Sequence, residues 1–189
     1  MTVRPTAAVA ALWLIWLIGW WVSAAASART VSRPSASSQL KYSLLTWAGA
    51  VLLFMHPRSA SGLLQPLVSS SALSWTGVAL VAIGLGFSVW ARVHLGRLWS
   101  ARVTLKEGHA IVRTGPYGFV RHPIYTGLVI AILGTLLTEI TVAAMAGVVL
   151  ITTGFVIKLR QEERLLTDHF GAAYDVYRAE VRGLIPYIW

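Results

Sequence analysis

Two short stretches carry most of the side chains in this sequence that are capable of chemistry. Residues 115–127 read GPYGFVRHPIYTG and residues 158–163 read KLRQEE. In the first, Gly115-Pro116-Tyr117-Gly118 forces a turn, and His122 precedes Pro123, a residue suited to the first turn of a helix. Arg121 and His122 then stand at a helix amino terminus, where N–H groups and the helix dipole favour an anion. In the second, Lys158 and Glu162 lie one turn apart on one face of a helix. Together the two stretches suit a zwitterion, with its carboxylate near Arg121 and its ammonium near Glu162. Glu163 or a histidine would take a proton from a reacting partner that has to lose one.

Taken singly, each group has a plainer role. Arg121 and Lys158 suit snorkelling at a membrane edge, His122 suits a helix cap, and Glu162-Glu163 suits a solvated face. His94 reads as structural, and His56 and His169 have no partner in sequence. The absence of cysteine excludes disulfides, thiolate metal sites and cysteine nucleophiles. No two histidines have metal-ligand spacing, so no metal is expected. No P-loop, G-x-G-x-x-G or G-x-S-x-G is present.

The elements that must position these groups belong to a membrane protein. Hydrophobic residues make up 56% of the chain and charged ones 12%, with a mean hydropathy of +0.66; soluble domains carry about 25% charged residues. Five apolar spans are expected: Thr6–Ala28, Tyr42–Met55, a helix from about Leu73 to Ala91, Pro123–Leu137 and Ile140–Ile157. The last two, separated by Thr138-Glu139, read as a tight helical hairpin. Its glycine pairs, Gly127/Gly134 and Gly147/Gly154, suggest close packing of those two helices on each other. The fold class is therefore all-α, an integral membrane protein of about five transmembrane helices with a carboxyl-terminal hairpin. Residues 1–91 supply three spans. Residues 92–189 supply a polar loop, the hairpin and a helix that continues beyond the membrane.

Between these spans, all of the 16 Lys and Arg except Arg4 and Arg58 fall on one side. The positive-inside rule puts that side in the cytoplasm, with the amino terminus outside and the carboxyl terminus and active site inside, as in a cell inner membrane. The small residues Ser23–Ala28 resemble a signal-peptide cleavage site. A cleaved first span would leave most of the basic residues outside, so it is retained as a helix. The +9 charge then forms a cytoplasmic collar suited to anionic membrane lipids, and no nucleic-acid partner is expected. Within the loops, Thr30–Ser38 shows no site-like pattern, Arg102–Leu105 reads as extended and Lys106-Glu107-Gly108 as a turn. Gly171 is placed to interrupt the last helix and Pro186 to end it, before an interfacial Tyr187-Ile188-Trp189.

The ordered series His109-Ala110-Ile111-Val112, Gly115-Pro116-Tyr117, Arg121-His122-Pro123-Ile124-Tyr125 and Gly127 resembles the signature of the isoprenylcysteine carboxyl methyltransferase family. Glu162-Glu163, Phe170-Gly171, Tyr174, Tyr177 and Ile185-Pro186 continue the likeness, which covers about residues 92–187. The resemblance implies S-adenosyl-L-methionine bound at the cytoplasmic face by His109, Ala110, Ile111, Val112, Tyr117, His122, Pro123, Ile124, Tyr125 and Glu162, with Arg121 a further candidate. It also implies a lipophilic or small-molecule methyl acceptor and no metal. The family often carries an arginine four residues before the first glutamate; here that position is Lys158, which lacks the planar bidentate grip of a guanidinium. Arg160 sits on a different helix face. Lys158, Arg160 and Glu163 are the candidates for substrate placement. Sterol reductases, which use NADPH, resemble the same region, but they tend to have Asn and an acidic residue where this chain has Ile124 and Leu128. A non-catalytic membrane scaffold would leave the clustered tyrosines and glutamates without a role.

Overall fold

The computed structural model describes residues 4–24, 30–32, 36–55, 62–99, 105–106 and 110–184. Five apolar helices follow in chain order: α1 (Pro5–Ala24), α2 (Ala36–Phe54), α3 (Ser71–Leu95), α4 (Pro123–Thr138) and α5 (Val142–Phe170). The short α6 (Ala172–Glu180) comes last. Three of them, α1, α3 and α5, are long and apolar enough to cross a bilayer by length and composition. The 16 residues of α4 reach about 24 Å, short of a hydrocarbon layer of about 30 Å. α2 starts at Ala36 rather than Tyr42, because the polar Ser37-Ser38-Gln39 turn joins the helix. The chain is an all-α integral membrane protein, and the described residues include one small antiparallel ladder. In that ladder β1 (Thr30–Ser32) pairs with β2 (Leu105–Lys106).

Local chemistry sets the helix ends. The Ser70 hydroxyl accepts from the Leu73 N–H at the start of α3, and the Thr141 hydroxyl accepts from Ala144 at the start of α5. Pro123 opens α4, where its missing N–H is no loss. Gly171, at φ 54°, closes α5 and turns the chain into α6. α6 stops at Glu180, before Pro186, which lies outside the described residues. So do His56, Arg102 to Thr104, Glu107, Gly108 and the Tyr187–Trp189 tail.

The glycine pairs do pack helices tightly, but not α4 on α5. A methyl group on Gly127 would stand 2.5 Å from the Gly84 carbonyl oxygen, and one on Gly134 would stand 2.7 Å from that of Gly77. The α4 glycines therefore seat against α3, whose own glycines repeat the seven-residue spacing in the antiparallel sense. On α5, a methyl group on Gly147 would stand 2.6 Å from the Gly49 carbonyl oxygen of α2, and one on Gly154 would meet Thr46 and Tyr42. Spacing marks the smooth face of a helix; it does not say which neighbour fills it. α1 lies along α3 and α4, tied by the Trp16 indole N–H to Ser88 Oγ at 2.8 Å and the Trp13 N–H to Thr135 Oγ1 at 3.0 Å.

A valine at Gly84 would collide with the Gly127 carbonyl across this seam. Gly84→Val is expected to destabilise the protein by about 1–3 kcal/mol, read as a lowered thermal midpoint in detergent. Gly86→Ala, on the same helix with nothing within 4 Å, is expected to leave the midpoint within about 0.5 kcal/mol of the parent.

Candidate functional site

The turn at Gly115–Gly118 is built around His94. Gly115 adopts φ 57°, and a methyl group there would stand 2.7 Å from the His94 ring. His94 Nε2 pairs with Thr114 Oγ1 at 2.8 Å, which fits its reading as structural. The turn buries Tyr117, whose carbonyl accepts from the Tyr177 hydroxyl of α6 at 2.7 Å. After α6 the chain folds back beside the start of α4. The Arg121 N–H donates to the Arg182 carbonyl at 2.7 Å, that of His122 to Gly183 at 3.0 Å, and Thr126 Oγ1 to Leu184 at 2.7 Å.

This returning segment corrects one expectation. The N–H groups of Arg121 and His122 are satisfied by carbonyls of residues 182 and 183 and do not face an anion. The Arg121 side chain is equally committed. Its Nε and Nη2 reach Glu163 Oε1 at 2.8 and 2.7 Å, while Nη1 donates to the Val181 and Arg178 carbonyls. His122, 6% exposed, places Nε2 2.9 Å from the same Glu163 oxygen, and Arg178 Nε lies 3.4 Å from the other. Opposite an ionised carboxylate, a neutral His122 carries its hydrogen on Nε2 and keeps Nδ1 as an acceptor. Glu163 is the hub joining α4, α5 and α6, and it does not line the cavity described below. Arg160 is exposed and also lies away from it.

The other expected residues converge. A cavity of about 220 Å³ is lined by Ala110, Ile111, Val112, Tyr117, Arg121, His122, Pro123, Ile124, Tyr125, Lys158 and Glu162. His109 lies outside the described residues. The Tyr125 hydroxyl donates to Glu162 Oε2 at 3.4 Å, and Lys158 Nζ stands 5.5 Å from the ring centroids of both Tyr125 and Tyr42. Sequence reasoning missed much of the wall. Tyr174 and Tyr177 come from α6, Trp16 and Trp20 from α1, and Trp99 from the loop after α3. The tyrosines were legible as part of the family pattern. The four-residue spacing of Trp16 and Trp20 marks a shared helix face, but nothing local ties that face to a site nearly a hundred residues away.

Burial pushes the Tyr177 phenol up to about 12, and pushes Tyr174 and Tyr117 up as well, the latter helped by the charge of Glu162. These phenols therefore stay neutral across the working pH range and act as hydrogen-bond groups, not bases. The Tyr174 hydroxyl is buried without a protein partner on a residue 2% exposed. A buried polar atom of this kind is costly unless something completes its hydrogen bond.

Removing one partner of a buried ionic cluster costs about 3 kcal/mol. Glu163→Gln is accordingly expected to lower the thermal midpoint in detergent and to speed proteolytic cutting between Gly171 and Leu184. Arg160→Ala is expected to change neither.

The geometry agrees with the comparisons. The profile of the isoprenylcysteine carboxyl methyltransferase (ICMT) family matches residues 77–168, from α3 through most of α5. A protein-S-isoprenylcysteine O-methyltransferase of Schizosaccharomyces pombe is 31% identical over 121 residues, covering 62% of this chain and 51% of that protein. A probable protein-S-isoprenylcysteine O-methyltransferase of Oryza sativa subsp. indica is 29% identical over 119 residues, covering 61% and 62%. A methanethiol S-methyltransferase of a Pseudomonas species is 29% identical over 119 residues, covering 61% and 44%. The match thus spans between less than half and less than two thirds of these relatives' own lengths. With its helical membrane fold and the convergent Tyr117, His122, Tyr125 and Glu162, the chain is similar to the isoprenylcysteine carboxyl methyltransferase family over residues 77–168.

Proposed function

We propose that this protein is a membrane methyltransferase that uses S-adenosyl-L-methionine and methylates a lipidic or small hydrophobic acceptor. The observation that carries this reading is the Glu162, Lys158 and Tyr174 set in one cavity. The cavity's chemistry fits that cofactor. Glu162 suits an ammonium, the unpartnered Tyr174 hydroxyl suits a carboxylate or ribose oxygen, and the buried tyrosine rings suit a flat base. Bound there, S-adenosyl-L-methionine supplies a methyl group on a positively charged sulfur, open to in-line attack.

The chain's own work is alignment and exclusion of water. Tyr125 orients the Glu162 carboxylate by its hydrogen bond. The Glu163 cluster fixes His122 and Arg121, so the start of α4 cannot drift from α5. A thiol or amine acceptor releases one proton on methylation, and His122 and Glu162 are the cavity groups able to receive it. A carboxylate acceptor releases none, and Lys158 is then the group suited to hold it. The basic residues near the cavity, among them Arg113, Arg121, Lys158, Arg178 and Arg182, support a cytoplasmic position for this end, with the amino terminus outside, by the positive-inside rule.

Calorimetric titration of the purified chain in detergent tests the reading. S-adenosylhomocysteine is expected to bind and NADPH is not; the reverse result would replace methyl transfer with a reductase. Glu162→Gln is expected to weaken S-adenosylhomocysteine by about tenfold, or about 1.4 kcal/mol. An unchanged affinity would remove Glu162 from the cofactor site.

A further inference from the structure

The residues that line the cavity fall into two chemically distinct sets. Its charged lining groups, Arg121, Lys158 and Glu162, all come from the start of α4 and from α5. A second set of lining residues, Trp16, Trp20 and Trp99 with Leu95 and Leu98, comes from α1 and the end of α3 and carries no charge. The rings there are held in place. Trp16 and Trp20 stack at 4.4 Å, and Trp20 meets Trp99 edge-on at 5.1 Å. The Trp16 N–H is fixed on Ser88 at 2.8 Å. The Arg92 guanidinium packs on Trp99 at 4.3 Å and donates to the Ser23 and Gly96 carbonyls at 2.7 and 2.8 Å.

We propose that Trp16, Trp20 and Trp99 wall the acceptor half of the cavity, and that this half takes an uncharged alkyl thiol. The assignment rests on the methyltransferase reading and narrows its acceptor. A carboxylate needs a cation. On this cavity Arg121 is committed to Glu163 and two backbone carbonyls, and Lys158 lies one turn from Glu162 and beside the Tyr42 and Tyr125 rings. An ammonium would enter beside a positively charged methyl donor and Lys158. A thiol enters neutral, and its polarizable sulfur packs well against indole rings. On methylation one C–S bond forms and the S–H bond breaks. The proton passes to His122, and the electron pair of the donor's C–S bond remains on the donor sulfur.

The test uses the full chain in detergent, saturated with S-adenosylhomocysteine. It is titrated with 1-butanethiol, butanoate and butylamine and followed by calorimetry and tryptophan fluorescence. The thiol is expected to bind at least about tenfold more tightly than the other two. Trp20→Ala and Trp99→Ala are expected to weaken the thiol by about tenfold while changing S-adenosylhomocysteine affinity by less than about threefold. Trp20→Phe, which keeps a ring in place, is expected to retain most of the thiol affinity. Butanoate or butylamine binding as well as the thiol overturns the assignment, as does no thiol binding to the loaded protein. A parallel loss of S-adenosylhomocysteine in Trp20→Ala and Trp20→Phe would assign the wall to the donor instead. If S-adenosylhomocysteine itself does not bind, the methyltransferase reading falls and the acceptor assignment falls with it.

Discussion

The Glu163 carboxylate is the point through which the site is assembled. Arg121 and His122 reach it from the start of α4, Arg178 reaches it from α6, and it stands on α5. Partly buried ion clusters contribute little net stability against well-packed apolar alternatives, because desolvating the charges opposes their attraction. What such a cluster supplies is geometry. It fixes three segments that share no glycine seam and makes the backbone pairing of Arg121 and His122 with residues 182–183 consistent with the side chains. His122 and Tyr125 then face the cavity with Glu162 opposite them. Neighbouring glutamates thus have separate roles: Glu162 faces the cavity and Glu163 holds the frame.

A second electrostatic device operates at the far wall. Arg92 is 6% exposed, and it donates to two carbonyls, at Ser23 near the end of α1 and at Gly96 just after α3. α1 and α3 run in the same direction, so their carbonyl-bearing ends, each carrying about half a negative charge, meet at one place. A guanidinium there neutralises both and satisfies their last acceptors. This explains how α1, most of whose surface faces outward, is held in register with α3. The same side chain backs Trp99, so the register of α1 and the position of the aromatic wall depend on one group.

How much of this was legible in the sequence depends on the range of each interaction. The five apolar helices, the break at Gly171 and the turn at Gly115–Gly118 follow from composition and from residues within one or two turns. The convergence of His122, Lys158 and Glu162 follows from two polar motifs on the same side of the membrane, and the cavity role of Tyr117 and Tyr125 was legible through the family resemblance. Three features were not legible. Gly127, Gly134, Gly147 and Gly154 advertise smooth faces whose partners proved to be α3 and α2. Arg121 is a cation at a helix start, and only the return of residues 181–184 shows that its donors are already taken. Trp16 and Trp20 look like ordinary membrane-helix aromatics until α3 carries them to Trp99. In each case the deciding contact joins residues tens of positions apart, where local pattern carries no information.

The division of the cavity also bears on how one scaffold serves different acceptors. The charged lining residues Arg121, Lys158 and Glu162 come from the start of α4 and from α5, inside the stretch that matches the family profile at residues 77–168. Trp16 and Trp20 lie outside that stretch, on a helix whose only evident sequence requirement is to be apolar. A wall meeting a common methyl donor has to preserve its polar geometry, because each misplaced hydrogen bond in a dry site costs free energy. A wall meeting the acceptor needs only to be apolar and suitably shaped, and hydrophobic surfaces tolerate exchange when volume is kept. On the proposed reading, α1 is therefore the element through which acceptor preference can change while the donor site is left intact. The Arg92 clamp would allow that change without loosening the fold, since it holds α1 by a backbone carbonyl and is indifferent to which side chains α1 presents to the cavity.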